Sequence, residues 1–251
     1  MLSYQHSYHA GNLVDAHKHA RLAEMLVARP ADAPTLAYYE THAGRGLYDL
    51  SSKEAKKTGE AKMGAPVIAA LPKSHPYRQC IAQTQKRYGP RFYPGSPLIA
   101  QHLLHRQDTI QLFELHPQEH AALRTAMPHD RVQIEKADGY AGMLSLPTEQ
   151  AARNGLLLID PSYELKNEYA DMAPWLQQLL RRSPNLSVLL WYPILKSGLH
   201  EPMRKALMQA FPTSPYEEVP FPADSGLRML GSGLWQYTPL SSLESPQQAL
   251  T

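Results

Sequence analysis

The sequence predicts an α/β fold in which a mostly parallel, seven-stranded sheet carries helices on both faces. Two observations predict it. Strand-like apolar runs alternate with helix-period segments along most of the chain, the rhythm of parallel strands joined by crossover helices. The last two strand-like runs have no helix between them, so the sheet is expected to end in a hairpin with one antiparallel strand.

Taken in order, HKHARLAEMLVAR reads as a helix and LAYYE (36–40) as the first strand. PLIAQHLLHR is a helix, TIQLFEL (109–115) a strand, PQEHAALRTAM a helix and RVQIEK (131–136) a strand. GLLLID (155–160), helix ADMAPWLQQLLRR, LSVLLWYP (186–193) and helix EPMRKALMQAF follow, before PYEEVPF (215–221) and GLWQYTP (233–239). Residues 51–91 break the rhythm. They carry Lys53, Lys56, Lys57, Lys62, Lys86, Arg87 and Arg91 and end in a helix, PYRQCIAQTQKRY. We read them as a helical insertion after the first strand, either a solvated excursion or a surface for a polyanion. Residues 1–50 and 92–251 then form the core, with 1–20 as an N-terminal lid.

Composition narrows the classes. At 251 residues with 43% hydrophobic content, the chain can bury one large core. No apolar run approaches the ~20 residues of a membrane helix. The polar, His-rich start is not a secretory signal. One cysteine, Cys80, leaves no internal disulfide and no multi-thiolate zinc site. A cytoplasmic protein without a metal is expected. The net charge of +2 permits a nucleic-acid partner without demanding one.

The chemistry gathers where strands end, because open parallel sheets bind ligands at the carboxyl ends of their strands. LAYYE runs into THAGRG, TIQLFE ends at Glu114, RVQIEK leads to Asp138 and GLLLID ends at Asp160. Carboxylates grouped along one rim repel one another unless a ligand uses them. THAGRG is a weak dinucleotide fingerprint, since its third glycine is missing and the acid expected ~20 residues later is absent; alone it is an ordinary turn. If the insertion has displaced that acid to Glu114, Glu114 is placed to bond a ribose diol. Asp160-Pro161-Ser162-Tyr163 says more. The amine of adenine is a poor nucleophile because its lone pair is delocalised into the ring. Accepting both N–H hydrogens, one on Asp160 and one on the Pro161 carbonyl, pushes the nitrogen towards sp³ character. Proline restricts the acid before it to extended geometry, and Tyr163 can stack on an extruded base. The alternative is an ordinary Asp-Pro turn beside a partly buried tyrosine. In the N-terminal stretch, Tyr4, His6 and Lys18 are candidates to face an anionic aromatic substrate. The histidines there have no recognised zinc spacing.

The segments MLSYQHSYHAGN with Asp15, Lys18 and His19, ETHAGRGLY, RFYPGSPLIA, FELHP, EKADGY, LLLIDPSYE, LWYP and the SGL of the last hairpin occur in this order between residue 1 and about 239. Together they resemble the 23S ribosomal RNA (adenine-N6)-methyltransferases of the RlmJ family. The resemblance implies a Rossmann-like, seven-stranded class I S-adenosylmethionine-dependent fold. It implies methylation of one adenine in deproteinised 23S rRNA with S-adenosylmethionine as donor, without an obligate protein partner and as a monomer. It implies that His19, His42, Ser96, Glu114, Asp138, Gly139 and Asp160 hold the cofactor, that Asp160 also acts on the amine, and that Tyr4, His6 and Lys18 line the adenine site. Where the family pattern has Asp-Pro-Pro-Tyr, Ser162 replaces the second proline, leaving the Pro161 carbonyl less restrained. A nucleic-acid-binding module with impaired catalysis and a DNA adenine-N6 methyltransferase stay open as alternatives.

Overall fold

The computed structural model describes residues 5–29, 34–223, 227 and 229–239. A 3-10 turn (His6–Tyr8) leads into α1 (Leu13–Val27), β1 (Ala37–Glu40), β2 (Leu47–Asp49), α2 (Lys53–Thr58), α3 (Ala61–Ala70), α4 (Pro76–Tyr88) and β3 (Phe92–Pro94). Next come α5 (Ser96–Leu103), β4 (Thr109–Phe113), α6 (Pro117–Ala126), β5 (Val132–Glu135), α7 (Gly139–Leu144), α8 (Thr148–Ala151) and β6 (Gly155–Ile159). The chain continues through α9 (Asn167–Arg182), β7 (Leu186–Leu195), α10 (His200–Ala210), β8 (Tyr216–Pro220) and β9 (Met229–Tyr237).

Seven strands form one sheet in the order β5-β4-β1-β6-β7-β9-β8. β5, β4, β1, β6 and β7 run parallel, whereas β9 is antiparallel to both β7 and β8. The expected parallel sheet with a terminal hairpin is therefore present. Its last strand begins earlier than GLWQYTP, because Gly231 and Gly233 hide the strand pattern. A Cβ at Gly231 would lie 2.5 Å from the Val219 carbonyl, and one at Gly233 would lie 2.1 Å from the Tyr192 ring. β1 pairs with β4 on one side and β6 on the other, so the strand order reverses there and opens the crevice where such sheets bind ligands.

The centre of the sheet is apolar on both faces. β6 is buried throughout, with Leu157, Leu158 and Ile159 at 0% exposure. Burial of each such side chain stabilises the fold by ~1.5–3 kcal/mol.

Residues 51–91 hold three helices where the sequence suggested one. α2 and α3 were concealed by lysines and by Gly59, which takes the left-handed backbone that ends α2. β2 and β3, flanking this segment, pair into a two-stranded ribbon. α3 and α4 pack on α1. Gly64 of α3 comes so near the chain at Gly11 that a Cβ would lie 2.1 Å from the Gly11 carbonyl. Tyr77, Cys80, Tyr93 and Ile99 form a second apolar cluster there. The segment is thus docked against the N-terminal helix.

Candidate active site

A cavity of about 820 Å³ opens at the carboxyl ends of β1, β4, β5, β6 and β7, with α1 along one side. Its middle is the turn after β6. Asp160 leaves the strand there, Pro161 follows, and Tyr163 adopts φ +53°. A positive φ is rare for a bulky side chain and costs on the order of 1–3 kcal/mol. The surroundings fix it: the Tyr163 hydroxyl donates to the Trp191 carbonyl at 2.9 Å, and its ring stacks on Tyr169 at 4.4 Å. One face of Tyr163 is therefore already covered. What it can offer a ligand is the other face.

Asp160 is held from α1. The Lys18 ammonium, 2% exposed, donates to Asp160 Oδ2 and lies 3.4 Å from Asp15 Oδ1. Burial works against this charge, but Asp160 and then Asp15 outweigh it and raise the Lys18 pKa above the ordinary lysine value. Asp15 is fully buried. It accepts from the Gly11 backbone at 2.8 Å and is bonded by His6 Nε2 at 3.0 Å. Burial opposes its charge too, yet His6, His19 and Lys18 hold its carboxyl well below the usual range. Lys18 was expected to face an anionic substrate; instead its charge is committed to two carboxylates. His6 borders the cavity edge-on to Tyr48. Tyr4 lies outside the described residues.

The other half of the cavity lies over β1, β4 and β5. Glu114 accepts the Gly44 N–H at 2.8 Å and the His116 N–H at 2.7 Å, one on each oxygen, and burial pushes its carboxyl upward. Gly44 sits at φ +62°, where a glycine is required. Asp138 caps α7 through Ala141 N at 2.9 Å, and Gly139 presses so close to β1 that a Cβ would lie 2.1 Å from the Thr41 carbonyl. His42 bonds Thr41 Oγ1 at 2.8 Å, and burial lowers its pKa to about 4. Burial does the same to His19, which bonds the Tyr93 hydroxyl at 3.0 Å. Ser96 opens α5 and donates to Glu40 at 2.9 Å. Every sequence-predicted site residue in the described part of the chain lines this one cavity.

The family model described as ribosomal RNA large subunit methyltransferase D, RlmJ, matches residues 33–250. The chain belongs to the RlmJ family. Ribosomal RNA large subunit methyltransferase J of Escherichia coli (strain K12) is 39% identical over 201 residues, covering 78% of this chain and 71% of that protein. The Haemophilus influenzae protein of the same name is 37% identical over 203 residues, with the same shares. The crystal structure of protein LPL1258 from Legionella pneumophila has a TM-score of 0.81 at 32% identity, covering 92% of this chain and 87% of that one. An S-adenosylmethionine-dependent methyltransferase from Agrobacterium tumefaciens shares the fold at a TM-score of 0.52 and 10% identity, covering 91% and 63%. The sheet is that of a class I methyltransferase.

In this RlmJ-family chain, sequence reasoning overlooked four features of the site. Asp15 appeared only within a motif, yet it joins His6, Gly11, Lys18 and His19. Its spacing to Lys18 and His19, three and four residues on, put all three on one face of α1 and was the available signal. Glu40 was read only as a strand ending. It is fully buried, accepts from Tyr38 at 2.6 Å and from Ser96, and burial pushes its pKa up to about 8 against those two bonds. Trp175 and Trp191 also border the cavity. Trp175 sits inside a helix that reads as core, and Trp191 appeared only within the LWYP motif of a strand that reads as core.

Proposed function

We propose that this chain methylates the exocyclic N6 amine of an adenine in 23S rRNA, acting on deproteinised RNA with the base turned out of its helix, and that S-adenosylmethionine is the donor. The observation that carries the reading is Asp160: a carboxylate at the join of the two halves of the cavity, oriented by a buried ammonium and followed directly by the Pro161 carbonyl.

The residues fit such a donor. Each Glu114 oxygen accepts one backbone N–H and keeps a lone pair for a ribose hydroxyl. Gly44 and Gly139 let the backbone come close, and His19, His42, Ser96 and Asp138 complete the cofactor half. When bound, the sulfonium supplies an electrophilic methyl group, which leaves with the S–C electron pair staying on sulfur. The chain's own residues handle the nucleophile. Asp160 and the Pro161 carbonyl accept the two N–H hydrogens and aim the nitrogen lone pair at the methyl. As the N–C bond forms, the amine gives one proton to Asp160 or water and returns to neutrality. Lys18 holds Asp160 in place, and Tyr163 offers the base its uncovered face. His6 closes the substrate side, with Tyr4 assigned there by family pattern. Reactive geometry held this way contributes through orientation, where a ~1 Å misplacement costs about 100-fold. The active unit in this reading is a single chain without a metal.

The test is methyl transfer from labelled S-adenosylmethionine to protein-free 23S rRNA from cells lacking this enzyme, followed by nucleoside analysis. Label in N6-methyladenosine is expected. Label only in a matched DNA hairpin, or none at all, overturns the proposal.

A further inference from the structure

A hydrogen-bond chain of fixed direction runs from the cavity to the surface. The Trp191 indole Nε1–H can only donate, so Ser232 Oγ accepts it, at 2.9 Å. With the Glu217 carboxylate taking the Nε2 hydrogen, a neutral His17 leaves Nδ1 bare to accept the Ser232 hydroxyl hydrogen, also at 2.9 Å. The imidazole hydrogen then sits on Nε2 and is donated to Glu217 Oε1 at 2.8 Å, while Arg21 donates to Glu217 Oε2 at 2.7 Å. Burial favours the neutral imidazole that this pattern needs, against the pull of Glu217. Ser232 is 0% exposed, so its hydroxyl has no water to turn to.

The indole at the inner end of the chain belongs to the half of the cavity away from Glu114 and Asp138. Leu190 pairs with Ile159 across β7 and β6, which sets Trp191 level with Asp160. The Lys18 ammonium that grips Asp160 lies 5.8 Å from the indole centroid. Tyr163 meets the indole edge to face, with centroids 6.0 Å apart at 63°. The two rings make a corner beside Asp160, continued by Pro193, Leu195 and Met229. Neighbouring residues of α1 serve both walls, since Lys18 holds the acid and His17 holds the indole through Ser232.

We propose that Trp191 contacts the target base, closing this corner while Asp160 holds the amine, and that Ser232 and His17 are positioning residues that fix the indole plane. The proposal rests on the adenine-methylation reading above and adds the residue that shapes the base side. Aromatic contact is the means by which single bases are gripped without pairing.

Trp191→Ala, Trp191→Phe, Ser232→Ala and the Trp191→Phe/Ser232→Ala double variant would be assayed on protein-free 23S rRNA, with cofactor affinity measured by calorimetry. Trp191→Ala should lower kcat/KM for RNA by about 10- to 100-fold and leave cofactor affinity unchanged. Trp191→Phe should retain most of the activity, because a flat ring remains. Ser232→Ala should lower activity in the wild-type background. It should have no further effect in the Trp191→Phe background, where no indole N–H is left for Ser232 to hold. A merely structural role for Ser232 predicts the same loss in both backgrounds, and that result overturns its assignment. If Trp191→Ala does not fold, the Trp191→Phe and Ser232→Ala comparison decides. Normal RNA kinetics in Trp191→Ala sink the proposal alone, whereas wild-type protein that transfers no methyl to adenine sinks both readings.

Discussion

The Lys18 ammonium reaches Asp160 from inside the protein: it is 2% exposed, bonded to the Asp160 carboxylate and 3.4 Å from Asp15. The acid at the centre of the cavity is thus anchored to the first long helix. The two ends of this pair should respond differently to mutation. Asp160→Ala leaves Lys18 paired with Asp15, so the protein should fold with a near-normal Tm. If Asp160 orients the amine as proposed, its loss should cut turnover by about 100- to 10,000-fold. Normal turnover in a methyl-transfer assay would remove Asp160 from the reaction.

Lys18→Met should damage the fold as well as the site. It leaves Asp15 and Asp160 facing each other without their cation, and breaking a buried pair from one side costs about 3–5 kcal/mol. For a chain of this size, Tm should drop by roughly 6–20 °C. Adding Asp160→Asn should restore part of the loss, and calorimetry of the three variants would show whether it does.

Stability should peak near pH 6.5. His19 and His42 have folded pKa values lowered from 6.5 to about 4, so between these values the unfolded chain binds more protons and stability falls as pH falls. Glu40 has its folded pKa raised from 4.5 to about 8, so across that interval the folded chain binds more protons and stability falls as pH rises. Below 6.5 the lowered histidines, His17, His19, His42 and His102, outweigh the raised glutamates, Glu40, Glu114 and Glu168, and above 6.5 the large upward shift of Glu40 dominates. Tm measured by thermal denaturation should trace this dome. Glu40→Gln should flatten its alkaline side, and an unchanged slope would show that Glu40 is ionised in the folded state.

Gly139→Ala should lower both Tm and cofactor affinity, the latter by at least about 10-fold. Its Cβ would enter the Thr41 backbone at 2.1 Å, and main chain cannot yield as a side-chain tip can. Calorimetric titration with S-adenosylmethionine reads the effect directly, and wild-type affinity would show that β1 and α7 part without disturbing the site.

Lys53, Lys56 and Lys57 are exposed on α2. If they meet RNA phosphates, neutralising all three should flatten the log–log salt dependence of binding by about 0.7 per lost contact on single strands. An equal slope in filter-binding titrations would make them a solvated face.

Much of this was readable along the chain. Leu156–Ile159 announce a buried strand because all are apolar, and Asp160 announces its end because a carboxylate interrupts the run before a proline. Glu114 and Asp138 are visible because they too stand where strand-like runs end. Asp15, Glu40 and Trp191 are not. A buried carboxylate looks like any other acid until its partners are known, and Glu40 finds its partner Ser96 fifty-six residues away. The ribbon of β2 and β3 escaped notice because each strand has three residues and pairs across the whole insertion. Ser232 likewise lay just outside the strand expected from Gly233, between two glycines that mask the strand pattern, and proves to be in the middle of β9.

By itself, then, the sequence determined the alternation of strands and helices, the antiparallel ending, the rim of acids and the family to which the chain belongs. These are local properties: a periodicity of apolar residues, a proline after an acid, a set of short motifs in order. The tertiary structure decided that Lys18 faces Asp160 instead of open solvent, that Tyr163 has one face covered, and that His17 reaches Trp191 through Ser232. Each depends on pairing between residues far apart in the chain, where burial removes water as a competing partner and leaves these groups only one another to satisfy their charges and hydrogen bonds.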